Sequence, residues 1–90
     1  IKTPSINDNN SLYSIAPNPA NEQTLLLCPT SSTYQLQIFD AKGQQIIAEV
    51  FEGQEQSINL KQIPAGIYYV QIKDLNQTDQ MISHLKLIKT

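Results

Sequence analysis

The sequence predicts an all-β, antiparallel domain, and three observations carry that expectation. First, short stretches alternate apolar and polar residues, as in Thr33-Tyr34-Gln35-Leu36-Gln37-Ile38-Phe39 and Tyr68-Tyr69-Val70-Gln71-Ile72-Lys73. A period of two belongs to a strand with one face covered. Second, clusters of Pro, Gly, Asn, Asp and Ser separate these stretches. Third, apolar spacing at the helical period never persists long enough to make a helix.

Taken in order, residues 1–11 (IKTPSINDNNS) are polar and read as a linker or frayed start, leaving residues 12–90 as one domain. Residues 12–16 form a short strand candidate, stopped by Pro17-Asn18-Pro19-Ala20-Asn21. Two prolines there remove two backbone donors, and Asn18 and Asn21 can bond back to the main chain. This segment is either a rigid corner or a recognition loop. Gln23-Thr24-Leu25-Leu26-Leu27-Cys28 is apolar on both faces, which suits a strand covered on both sides, and Pro29 ends it. Thr30-Ser31-Ser32 reads as loop. Residues 33–39 and 46–51 form a hairpin across Asp40-Ala41-Lys42-Gly43, a turn with Asp first and Gly fourth. Glu52-Gly53-Gln54 breaks the returning strand, and Ser57-Ile58-Asn59-Leu60 is short with Ile58 and Leu60 inward.

The organising stretch is Ile63-Pro64-Ala65-Gly66-Ile67-Tyr68-Tyr69-Val70-Gln71-Ile72-Lys73. Pro64 and Gly66 suit the second and fourth positions of a type I turn. The strand that follows should lie centrally in a sheet, with Tyr68, Val70 and Ile72 on one face. Residues 74–79 connect it to a last strand over residues 81–89, whose Met81, Ser83, Leu85 and Leu87 share the core face. About seven short strands in a domain this size argue for an antiparallel β-sandwich of immunoglobulin-like architecture. The single Cys and the absence of Trp exclude the disulfide and buried indole of antibody domains.

Composition excludes several functions. The formal net charge is −2, with six Lys and no Arg. Scattered lysines form no basic stripe, which argues against nucleic acid. No apolar run is long enough to cross a bilayer, and direct membrane insertion is not expected. Cys28 reads as a buried small hydrophobe and His84 as a solvent-facing strand residue, so neither a nucleophile–base pair nor a zinc site is expected. Asp8, Asn9 and Asn10, and Asp74, Asn76 and Asp79, are weak oxygen clusters that read as solvated loop and not as calcium sites. Glu49, Glu52 and Glu55 read as exposed charges. No cofactor and no catalytic activity are expected. The chain starts at Ile1 instead of Met, so it reads as a piece of a longer protein.

Four features follow one another in order. Pro17-Asn18-Pro19-Ala20-Asn21 precedes a strand. Residues 37–46 (QIFDAKGQQI) form strand, turn and strand. Ile58-Asn59-Leu60 precedes Ile63-Pro64-Ala65-Gly66-Ile67-Tyr68-Tyr69-Val70. Leu85-Lys86-Leu87-Ile88-Lys89 closes the chain. From about Ser14 onward the ordered set resembles the type A C-terminal sorting domain of proteins exported by the type IX (Por) secretion system of Gram-negative bacteria. One departure is Gln45, where the family often has Arg. The resemblance implies an upstream cargo domain, passage through the periplasm and recognition by an outer-membrane translocon. A surface sortase then commonly cuts ahead of the domain, leaving the cargo secreted or on the cell surface. It further implies that Pro17, Asn18, Pro19, Gly43, Gly66, Tyr68, Leu85, Lys86, Leu87, Ile88 and Lys89 carry recognition.

A terminal strand offers an unpaired edge, so residues 85–89 are expected to dock by strand addition or to form an edge-strand dimer, with Lys86 and Lys89 guarding the edge until then. The rival reading is a non-catalytic binding or adhesion module appended to a secreted enzyme. A carbohydrate platform would have to come from Tyr13, Phe51 and Tyr69.

Overall fold

In the computed structural model, residues 12–77 and 82–90 are described. The spine of the molecule is a single strand, β2 (Gln23–Phe39), 17 residues long. Along one side it pairs antiparallel with β3 (Gln45–Asn59). Along its other side it pairs first with β1 (Ser14–Ala16), through Leu25, Leu26 and Leu27. Further on it pairs with β4 (Gly66–Asp74), from Tyr34 to Phe39. β5 (Ile82–Lys89) completes the sheet on the far side of β4. Every pairing between these strands is antiparallel, and all five belong to one sheet.

The all-β antiparallel class therefore holds, but the expected seven strands are five, in one curled sheet. The reason lies in the two places read as strand breaks. Between Leu27 and Ser32 the β2–β3 register slips, so that β2 carries extra residues that take no ladder partner. Pro29 sits in that irregularity, where a missing N–H deprives no neighbour. Residues 30–32, expected as loop, stay extended. On the opposite strand Gly53 takes φ +122°, a backbone that side chains other than hydrogen rarely adopt. β2 and β3 thus bend together and continue. A bulge sharpens local twist and coils a sheet over its own face.

One core lies inside this curl. Leu26, Tyr34, Leu36, Ile38, Leu60, Val70, Ile72 and Leu87 are fully buried. Each such side chain contributes roughly 1.5–3 kcal/mol relative to exposure. Tyr34 sits against Phe51, its cross-strand partner, with ring centroids 5.4 Å apart, and Tyr13 meets it edge-on at 6.1 Å. Its hydroxyl donates to the Thr30 carbonyl at 2.6 Å, satisfying an acceptor that the bulge leaves off the ladder.

The expected alternation in β4 is observed, with Tyr68, Val70 and Ile72 buried and Ile67 and Tyr69 exposed. β4 is interior, between β2 and β5. Three local readings change. Leu27 is 39% exposed, so the start of β2 is covered on one face only. The hydrogen-bonded turn before β4 spans Leu60 to Ile63, with the Asn59 carboxamide oxygen accepting from Lys61 N–H at 2.9 Å. It precedes the expected Pro64–Gly66 turn because Asn59 supplies an Asx turn. Asp74 is buried, accepting from Ser32 Oγ at 2.5 Å and from Asn76 N–H at 3.0 Å. The linker reading of residues 1–11, Met81 at the start of the last strand, and Asp8, Asn9, Asn10 and Asp79 lie outside the described residues.

Candidate functional site

The Pro17-Asn18-Pro19-Ala20 segment leaves β1 through cis peptide bonds at Ala16–Pro17 and Asn18–Pro19. Neither proline has an N–H, so the segment must find its donors elsewhere. Asn18 supplies them from its side chain. Its Nδ2 donates to the Lys86 carbonyl at 2.8 Å, and its Oδ1 accepts from Ile88 N–H at 3.0 Å. A carboxamide offers one donor face and one acceptor face, as a peptide unit does. Asn18 therefore stands in for one residue of an extra strand beside β5.

Ala20 continues the imitation with its own backbone. Its N–H donates to the Ile88 carbonyl at 2.7 Å, and its carbonyl accepts from Thr90 N–H at 2.8 Å. This is a parallel bridge to Lys89. Thr24 Oγ1, in β2, donates to the Pro17 carbonyl at 2.8 Å and holds the segment from behind. Ala20 is 1% exposed, so its small side chain is packed against the core.

These contacts correct the expectation of an unpaired terminal edge. The Lys86 carbonyl, the N–H and carbonyl of Ile88 and the Thr90 N–H are already engaged, so an added strand or a second copy cannot pair with those groups. Covering an edge with a loop is one of the ways native sheets prevent unwanted pairing.

The residues expected to carry recognition separate into three groups. Pro17, Asn18, Pro19, Lys86, Ile88 and Lys89 meet at one edge, although 68 to 70 residues separate Asn18 from its partners. Gly66 and Tyr68 adjoin them through β4, opposite Lys89 and Leu87. Tyr68 is buried and its hydroxyl donates to the Pro64 carbonyl at 2.5 Å, so it fixes the entry to β4. Leu87 is fully buried, so it holds β5 in place and presents no surface, and Leu85 is partly buried and packs against the core. Gly43 lies apart in the β2–β3 turn at φ +88°. There Asp40 Oδ1 accepts from Lys42 and Gln44 N–H, both at 2.9 Å. A shallow hollow of about 190 Å³, lined by Asp40, Ala41, Lys42, Gly66 and Tyr68, brings that turn alongside β4.

Ala20 and Thr24 were not among the expected recognition residues. Ala20 was legible only as a small residue inside a proline motif, and Thr24 only as the polar member of an apolar run. The aromatic platform does not assemble either. Phe51 is buried and Tyr13 packs edge-on against Tyr34, leaving Tyr69 exposed without them. Burial pushes the Cys28 thiol up to about 11, outweighing the hydrogen bond from Tyr34, so it carries its proton at neutral pH. Burial likewise pushes Tyr13 up to about 12, helped by Tyr34 beside it. Among the described residues no group of three His, Cys, Asp or Glu side chains is placed to hold a metal.

Residues 14–88 match the family described as the secretion system C-terminal sorting domain. No curated protein matches the sequence significantly. Among solved structures, the fold is similar to part of PorZ, a bacterial surface component of the type-IX secretion system of Porphyromonas gingivalis. The TM-score is 0.76 at 13% identity, covering 92% of this chain and 12% of that one. The chain thus spans a small part of that protein, and the likeness is one of fold.

Proposed function

This chain belongs to the family of type IX secretion system C-terminal sorting domains, and we propose that its address is the composite edge formed by Pro17, Asn18 and Pro19 against β5. As a member, the domain is a sorting signal for type IX secretion, and it marks a protein for export to the cell surface or medium. The observation that carries our reading is the pair of hydrogen bonds from the Asn18 side chain to Lys86 and Ile88. They join two distant motifs into one rigid surface, which forms only when the domain is folded. A receptor that reads this surface reads foldedness as well as sequence.

On this reading the parent protein passes through the periplasm, where the domain folds. An outer-membrane translocon then recognises the edge, and a surface sortase cuts ahead of the domain. The domain itself is a non-catalytic substrate without a cofactor, and any enzymatic activity belongs to the upstream cargo. We also read the curled sheet as an immunoglobulin-like sandwich whose two leaves share β2 and β3 across their bends. Support for this comes from the single core enclosed between the two arms of those strands.

The test fuses the 90-residue chain behind a periplasmic reporter in a type IX-competent host. The reporter should reach the surface or medium. Lys86→Glu changes an exposed β5 side chain while leaving its backbone bonds in place, and should leave the reporter in the periplasm with the tag folded. Unimpaired export of the Lys86→Glu, Pro19→Ala double variant would move the address elsewhere on the domain.

A further inference from the structure

With the end of β5 covered, one long strand edge is left unpaired among the described residues. β3 runs 15 residues, and among the described residues it pairs with β2 alone. Alternate backbone N–H and C=O groups along its outer side are therefore available, and such an edge templates a further strand. It lies on the opposite side of the sheet from β5, so the two surfaces are separate.

Because β3 bends, its two arms converge on a groove of about 400 Å³. Ile46 and Ile47 line it from the first arm, Ile58 from the second, and Ile63 from beyond its end. Ile46, Ile47 and Ile63 are partly buried and pack on the core. Added apolar side chains would therefore enter an existing hydrophobic surface.

Glu49 stands on the rim of this groove. Its cross-strand neighbour is Leu36, which is fully buried, so Glu49 lies on the core-side face of the sheet, with its own side chain exposed at the open edge. Its carboxylate accepts from Gln56 Nε2 of the other arm at 3.3 Å. An added strand would cover that carboxylate, which is costly unless a cation arrives with it. β3 also carries Glu52 and Glu55 and no Lys. The nearest cation in sequence, Lys61, follows the strand. A second copy of β3 would bring carboxylates against carboxylates, which disfavours self-pairing.

We propose that the open edge of β3 and its isoleucine groove receive, by strand addition, an extended segment of a different protein whose side chains alternate apolar and basic. The backbone ladder supplies the geometry. The isoleucines take the apolar side chains, and Glu49 pairs with a Lys or Arg between them.

The test uses the isotope-labelled 90-residue chain and two short synthetic peptides, one alternating Ile or Val with Lys, the other with Glu in place of Lys. The Lys peptide should bind at least about tenfold more tightly by fluorescence anisotropy, and added salt should weaken it. Amide shifts should fall along β3 and not along β5. Glu49→Lys should reverse the preference between the peptides, and Glu49→Gln should abolish it, each with an unchanged melting temperature. Equal affinity for the two peptides, no binding of the Lys peptide at millimolar concentration, or shifts centred on β5 would each overturn the proposal. So would sedimentation showing that the free chain dimerises through β3.

Discussion

Asn18→Ala is the sharpest probe of the composite edge. It deletes both side-chain bonds to β5 without touching the core. Each such bond contributes about 0.5–1.5 kcal/mol net, and both are solvent-exposed, so the pair should contribute about 1–2 kcal/mol. For a domain of this size that lowers the melting temperature by about 5–15 °C. The assay is thermal melting by circular dichroism together with amide hydrogen exchange. The Ile88 N–H, whose acceptor is removed, should lose its protection, while amides of the β2–β4 ladder keep theirs at low temperature. Asn18→Asp sharpens the test. It retains an acceptor for Ile88 N–H but sets a carboxylate oxygen against the Lys86 carbonyl. Ile88 should then stay protected although the domain is destabilised. Unchanged exchange at Ile88 and an unchanged melting temperature in Asn18→Ala would refute the claim that this side chain closes the sheet edge.

Other consequences are as direct. Tyr34→Phe removes the donor to the Thr30 carbonyl inside the β2 bulge and should cost about 1–2 kcal/mol in urea unfolding, with m unchanged. Gly43→Ala has room for its methyl group but must hold φ +88°, and should lower stability by about 1 kcal/mol without altering the fold, read by the same titration. The Cys28 thiol holds its proton to about 11 in the folded chain, against 9.0 for a free thiol. The unfolded chain therefore releases this proton first as pH rises. The thiol's contribution is whole below pH 9.0 and is lost progressively as pH climbs towards about 11. Cys28→Ala should make stability fall less steeply across that interval. Alkylation of native Cys28 at neutral pH should be far slower than in denaturant, since the side chain is 5% exposed and protonated.

The sequence was most informative where one face of a strand packs and the other meets water. Tyr34, Leu36 and Ile38, and Tyr68, Val70 and Ile72, alternate strictly and are buried as that alternation requires. The Asp40–Gly43 turn was legible because its chemistry is local. One carboxylate bonds two neighbouring amides, and one glycine takes a positive φ. The ordered motifs likewise point to the family, whose match covers residues 14–88.

What the sequence alone did not determine is what happens between elements. Pro29 and Gly53 look like strand breakers in one dimension, yet paired across a ladder they become a shared bend, so seven stretches became five strands. The chain's last strand looked like an open edge, because nothing near it in sequence could cover it. Its partner is Asn18, and a contact across about seventy residues is fixed only by the way the sheet curls. The same curl leaves β3 paired along one side only, among the described residues, and draws its isoleucines into a groove. Alternation and turn chemistry are properties of neighbouring residues and can be read along the chain. Which backbone groups remain unpaired is a property of the closed sheet, and only the tertiary structure decides it.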